Sequence, residues 1–243
     1  MKIVTVIPAR YDSKRFPGKP LVDIAGKSMI KRVYEKCREV IDNTDLYVAT
    51  DSQLIYQHCI DNNMNVVMTS SNCLTGTDRI AEFSLKIKAD YYINVQGDEP
   101  VIDSQDILKI KESILKHPSK IINGYCAIKS EETFRSLTMP KVVFREDERL
   151  LYMSRSPIPG NKNDQFNIGF RQVCIYAFPY KSLEDFYKCK AKTRFESQED
   201  IEILRFLELG FDVQMVLLSD TSIPVDTPED LQKVINYVNK IER

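Results

Sequence analysis

Four cations, Arg10, Lys14, Arg15 and Lys19, stand close together near the start of the chain, with Gly18 among them. They follow directly on an apolar run, Ile3-Val4-Thr5-Val6-Ile7, which reads as a buried strand. A parallel strand delivers its C-terminal end to the ligand crevice of an open α/β sheet. Lysines, arginines and backbone N–H groups placed there can hold several phosphate charges. The chemistry indicated is recognition of a polyphosphate, but not by a familiar glycine-rich loop. Gly26-Lys27-Ser28 looks like the end of a P-loop, yet Leu21 stands where its first glycine belongs. No G-x-G-x-x-G follows the strand, so the dinucleotide fingerprint is absent too.

Two carboxylates are the second chemical feature. Asp98 follows the apolar run Tyr91–Val95, in the segment Asn94-Val95-Gln96-Gly97-Asp98-Glu99-Pro100. Gly97 permits a tight exit and Pro100 fixes the next turn. Asp226 precedes a helix whose start is written as Thr227 at the cap, Pro228 at the first position and Asp230 closing a capping box. Carboxylates at neighbouring strand ends can bind Mg²⁺, which keeps waters and phosphates in its other positions. His58 and His117 have no motif around them, and none of the six cysteines forms C-x-x-C. A zinc site and a Ser/His/Asp or Cys/His hydrolase are therefore unsupported. With no nucleophile of its own, the protein is expected to do phosphoryl chemistry on a substrate that supplies one. Positioning and charge neutralisation would then carry the reaction.

The elements that must hold these groups alternate strand with helix through the first half. Strands are predicted over 2–7, 46–49, 66–68 and 91–95. Helices follow from Met29, Ser52, Thr77 and Ser104. This βαβ repetition implies a doubly wound, mainly parallel α/β sheet. The middle differs. Residues 141–144 and 150–153 read as a hairpin around Glu146-Asp147-Glu148, and 172–178 as another strand. Together they predict a small antiparallel extension over about 140–178. Its edge suits a homodimer contact through Val142, Phe144, Leu151 and Ile175. A polar loop over 160–170 is expected near the substrate, then a helix over 198–209 stopped by Gly210, and a strand over 211–216.

The chain has 243 residues, 43% of them hydrophobic, and shows no linker or repeat, so a single domain over 1–243 is expected. Its net charge of −1 favours neither nucleic acid nor an anionic membrane as partner. No apolar run approaches the roughly 20 residues that span a bilayer, and Met1-Lys2 enters a strand without a signal-peptide pattern. Scattered cysteines fit reduced thiols and a cytoplasmic location.

Several segments together resemble the CMP-Kdo synthetases, the 3-deoxy-manno-octulosonate cytidylyltransferases, almost end to end. They are Ile7-Pro8-Ala9-Arg10-Tyr11 with Ser13, Arg15, Pro17-Gly18-Lys19-Pro20-Leu21 and Gly26-Lys27; Thr75-Gly76-Thr77-Asp78-Arg79; Asn94–Pro100; Ser154-Arg155; and Val225-Asp226-Thr227-Pro228-Glu229-Asp230-Leu231. The resemblance implies a nucleotidyltransferase fold, GT-A-like, and a reaction in which a sugar hydroxyl attacks the α-phosphorus of CTP and pyrophosphate leaves. It implies that Arg10 and Lys19 bind the triphosphate beside Arg15, and that Asp98 and Asp226 hold Mg²⁺. Ala9, Thr75, Gly76 and Arg79 would complete the nucleotide site. Gln96, Arg155 and Tyr176 would face the sugar acid, Arg155 meeting its carboxylate.

The chain departs from the family at Gln172, where a histidine is usual, and at Arg205-Phe206, where Glu-Gln is usual. The reading is therefore a Mg²⁺-dependent cytidylyltransferase for a 2-keto-3-deoxy sugar acid, Kdo or a relative; taken as sugar-facing positions, Gln172 and Arg205 tilt it toward an acid other than Kdo. Two other readings stand beside this one: a sugar-1-phosphate nucleotidyltransferase on the same fold, and a non-catalytic nucleotide-binding paralogue.

Overall fold

The computed structural model describes residues 1–12 and 16–242. Its elements run, in chain order, β1 (Ile3–Ala9), β2 (Asp23–Ile24), β3 (Lys27–Ser28), α1 (Met29–Arg38), β4 (Leu46–Thr50), α2 (Gln53–Asp61), β5 (Val66–Met68), α3 (Gly76–Lys86), β6 (Tyr91–Val95) and α4 (Ser104–Lys116). There follow β7 (Ile121–Ala127), α5 (Glu131–Arg135), β8 (Lys141–Phe144), β9 (Leu150–Ser154), β10 (Phe170–Pro179), α6 (Tyr180–Lys188), α7 (Arg194–Glu199), α8 (Ile203–Glu208), β11 (Val213–Leu217) and α9 (Pro228–Ile241). They form two compact units, one of residues 1–108 and 221–243, the other of 109–220. The sequence shows no linker because the first division falls inside α4, where helical periodicity continues unbroken.

In the first unit β1 pairs in parallel with β4 on one side and β6 on the other, and β4 pairs in parallel with β5. The chain thus moves outward from β1 to β4 and β5, then returns to β1's other flank as β6. The reversal makes the carboxyl ends of β1 and β6 the topological switch point, where open α/β sheets bind ligands. Val4, Val6 and Ile7 of β1 and Tyr92, Ile93 and Val95 of β6 are fully buried, as central parallel strands require. Helix α9 packs Val234 and Val238 against Ile24, Met29 and Val225. Full burial of such a side chain is worth about 1.5–3 kcal/mol, so this small core anchors the segment leading to Asp226.

In the second unit β7 pairs in parallel with β11 and antiparallel with β10, β10 with β8, and β8 with β9. The hairpin of 141–154 and the long β10 are the antiparallel strands expected from the sequence. Strand β7 is not legible there, because Asn123-Gly124 reads as a turn. A Cβ at Gly124 would lie 2.2 Å from Leu218 Cδ1, so the glycine serves close packing inside the strand. The helix expected over 198–209 is broken in two. Asp200 ends α7 in a left-handed conformation at φ 53°, and α8 begins three residues later. Gly210, at φ 87°, does end α8.

Of the four apolar residues assigned to a dimer edge, Val142 and Ile175 are buried within the chain itself. Phe144 packs against Tyr125 and Phe170. Leu151, on β9, is the one left exposed.

Candidate nucleotide site and the fate of the predicted residues

Lys19 is delivered by a loop whose shape depends on Gly18. That residue takes φ 71°, donates its N–H to the Tyr11 carbonyl at 2.9 Å, and leaves room for the Tyr11 ring. A short 3₁₀ turn over Lys19–Leu21 follows. From there the Lys19 ammonium reaches Asp98 Oδ2 at 2.7 Å, the Val225 carbonyl at 2.8 Å and Asp226 Oδ1 at 3.4 Å. The lysine side chain is 14% exposed, and the carboxylates 30% and 40%. Three acceptors from two distant segments, Asp98 on one and Val225-Asp226 on the other, therefore converge on one cation at the open end of β6.

Two further contacts hold this arrangement. The Val225 N–H donates to the Asp98 carbonyl at 2.9 Å, tying the segment before α9 to the loop after β6. Gly97 lies so close to the end of β1 that a Cβ there would stand 2.9 Å from the Pro8 carbonyl oxygen. Asp226 is thus not at a strand end, as the sequence suggested. It is set by the cap of α9, where Thr227 Oγ1 accepts from Asp230 N–H and the Asp230 carboxylate accepts from Thr227 and Asp226 N–H. Burial alone would raise the Asp230 pKa, but hydrogen bonds from Lys233 and Thr227 outweigh it and keep the carboxyl below its usual range. The cap therefore stays charged.

The donor set fits Mg²⁺. Two carboxylates and a carbonyl oxygen already converge on the Lys19 ammonium, which stands in for a cation, and they are hard oxygen ligands. Among the described residues no three or more His, Cys, Asp or Glu side chains form a denser cluster. A site with few protein ligands suits an ion that keeps waters and phosphates. The neighbouring Glu99 is buried and accepts a hydrogen bond from the Ser222 hydroxyl.

The other nucleotide-side expectations lie in the same unit. Ala9 ends β1 and is buried; Arg10, next along, is exposed. Thr75 caps α3 and Gly76 is its first residue, packed beside Gln96 and Pro8. Arg15 falls outside the described residues. Arg79 is buried rather than free. Its guanidinium donates to Asp51 Oδ2 at 2.7 Å and to Thr69 Oγ1 at 2.5 Å. It thus ties the first turn of α3 to the ends of β4 and β5, beside Thr75 and Gly76. Sequence reasoning missed Asp51 because it reads only as part of a helix cap.

The sugar-side expectations, Gln96 apart, lie in the second unit. Arg205 is fully buried and bound bidentately to Glu196, both N–O distances being 2.6 Å, with its guanidinium carbon 3.7 Å above the centre of the Phe186 ring. Phe206, equally buried, stacks between Phe178 and Phe186 at 5.0 and 4.7 Å. The departures at Arg205-Phe206 are therefore core residues, and the sugar-facing role assigned to Arg205 is withdrawn. Gln172 is also buried and donates to Asn123 Oδ1 at 3.0 Å. Tyr176 stacks on Phe178. Arg155 donates from every guanidinium nitrogen to backbone carbonyls, those of Glu199, Leu137, Thr138 and Asp200. Two of these carbonyls close the C-terminus of α7, where a cation is favoured. Those contacts lie where the predicted helix is interrupted.

Neither the thiols of Cys59 and Cys73 nor the imidazole of His58 is set up as an activated nucleophile. Burial pushes the Cys59 and Cys73 thiols up to about 12. His58, hydrogen-bonded to Ser28 Oγ at 2.7 Å, has its pKa lowered by burial and by Lys31. Among the described residues no helix is long and apolar enough to cross a membrane.

A cytidylyltransferase family model matches residues 4–216. The 3-deoxy-manno-octulosonate cytidylyltransferase of Escherichia coli is 38% identical over 234 residues, covering 96% of this chain and 94% of that protein. That of Geobacter metallireducens is 37% identical over 255 residues, covering both chains completely. The chain belongs to this cytidylyltransferase family. A solved structure of CMP:2-keto-3-deoxy-manno-octonic acid synthetase, complexed with CTP, superposes with a TM-score of 0.92. It is 35% identical, with 99% of this chain and 100% of that chain covered. The protein is thus an enzyme of the nucleotidyltransferase class, with that class's mixed, largely parallel fold. Among the readings opened by the sequence, the cytidylyltransferase stands.

Proposed function

We propose that this enzyme transfers CMP from CTP to the 2-hydroxyl of Kdo, with Mg²⁺ required and pyrophosphate released. The observation that carries the reading is the convergence of Asp98, Asp226 and the Val225 carbonyl on one cation at the switch point of the sheet. The Escherichia coli relative is a 3-deoxy-manno-octulosonate cytidylyltransferase and the solved relative is complexed with CTP, and the departures that argued for another acid lie in the core. Asp98 and Asp226 would hold Mg²⁺, which when bound supplies charge neutralisation for the triphosphate.

Arg10, exposed beyond β1, and Lys19 would bind phosphate oxygens. Thr75 and Gly76 place the positive end of α3 beside Gln96. The sugar hydroxyl gives up its proton to solvent as its oxygen bonds to the α-phosphorus and the bond from that phosphorus to the bridging oxygen breaks, releasing pyrophosphate. Orientation and charge, rather than a covalent enzyme intermediate, supply the acceleration. We also propose a homodimer in which Leu151 on the edge strand β9 is covered.

The test is pyrophosphate release with CTP against other nucleoside triphosphates, and with Kdo against other 2-keto-3-deoxy acids. Asp226→Asn keeps size and removes a charge, so turnover should fall at least 100-fold, about 2.7 kcal/mol, with folding intact. Near-normal turnover of that variant at saturating Mg²⁺ would overturn the metal assignment.

A further inference from the structure

We infer that Lys19 is a built-in counter-ion that blocks the metal carboxylates until nucleotide arrives, so that metal and nucleotide enter together. The inference rests on the proposal that Asp98 and Asp226 are the carboxylates that hold the metal.

The argument begins with donor arithmetic. A lysine ammonium has three N–H bonds and no acceptor. Here three acceptors surround it: Asp98 Oδ2, the Val225 carbonyl and Asp226 Oδ1. The same nitrogen cannot also hold a phosphate without giving up one of them. Two of the three acceptors, the Asp98 and Asp226 carboxylates, are moreover the oxygens that the proposed metal site would use.

Charge gives the same answer. Two carboxylates facing each other across a few ångströms repel unless a cation lies between them. Lys19 supplies that cation from within the chain, on a side chain that is largely buried and braced by the Gly18 turn. Free metal must therefore displace an ammonium already in place. A triphosphate removes the obstacle, since its oxygens offer the ammonium new acceptors and offer the metal new ligands. Lys19 then passes from carboxylates to phosphate while the metal takes its place. Each ligand favours the other, and the coupling is reciprocal.

The experiment measures binding of Mn²⁺ alone, followed by electron paramagnetic resonance, to the full-length protein without nucleotide. Lys19→Met, with Lys19→Gln as a second uncharged variant, should bind Mn²⁺ at least tenfold more tightly than the native protein. Asp98→Asn should lose the site in either background. Circular dichroism confirms that each variant is folded.

Unchanged or weaker Mn²⁺ binding in both Lys19 variants, with Asp98→Asn still abolishing it, would overturn the counter-ion role and leave the metal assignment standing. Mn²⁺ binding indifferent to both Asp98→Asn and Asp226→Asn would overturn the metal assignment itself.

Discussion

Arg205→Met isolates the correction that matters most for specificity. The guanidinium is fully buried, and both of its bonds to the equally buried Glu196 measure 2.6 Å. It also lies 3.7 Å above the Phe186 ring. Removing the cation leaves a carboxylate in the interior without its partner, which costs about 3–5 kcal/mol. Loss of the cation–π contact is part of that figure, not an addition to it. For a chain of this size about 2–4 °C accompany each kcal/mol, so the melting temperature should drop by about 6–20 °C. The double variant Glu196→Gln, Arg205→Met removes both charges and should recover most of the loss, because a buried pair exchanged for neutral groups is often close to neutral. Urea unfolding of the two single variants and the double variant measures the coupling directly. Steady-state kinetics with CTP and Kdo supply the second readout, and KM for the sugar acid should stay within about twofold in the folded fraction. A stability loss below about 1 kcal/mol, together with a tenfold rise in KM for the sugar acid, would refute the core assignment and return Arg205 to the substrate.

Three further outcomes follow from particular contacts. Gly97→Ala forces a Cβ to within 2.9 Å of the Pro8 carbonyl; it should cost about 1–3 kcal/mol and, by shifting Asp98, lower turnover at least tenfold, as kinetics and denaturation would show. Asp51→Asn strips the buried Arg79 of its ionic partner; it should cost about 1–3 kcal/mol and raise KM for CTP more than it lowers kcat. The folded-state pKa of His58 is lowered by burial and Lys31, so its contribution to stability is full above about pH 6.5 and is lost as pH falls through the folded value. An NMR titration of the His58 ring should find a midpoint below that of an unfolded histidine, and Lys31→Ala should raise it.

What could be read from the residues in order was whatever local chemistry decides. The βαβ alternation shows in apolar periodicity, and β6 spans Tyr91–Val95 as the pattern predicted. The cap of α9 shows in Thr227, Pro228 and Asp230, because those side chains satisfy the first turn's own N–H groups. The basic loop and the Gly97-Asp98 exit were visible as residue types suited to phosphate and to a metal. Their meeting was not visible. Lys19 lies 79 residues from Asp98 and 207 from Asp226, and no local rule links an ammonium to acceptors that far along the chain. Tertiary structure alone also decided which cations are free. Arg79 and Arg205 look like ligand-binding arginines in sequence, but each is buried against a carboxylate, Asp51 in one case and Glu196 in the other. Gly124 makes the same point for the backbone. It reads as a turn residue, yet it sits inside a strand because Leu218, brought back by the chain almost a hundred residues later, fills the space a side chain would need. Periodicity and capping act over a few residues and so are written in the sequence, whereas a charge's partner and a glycine's neighbour are set by packing between segments the sequence keeps apart.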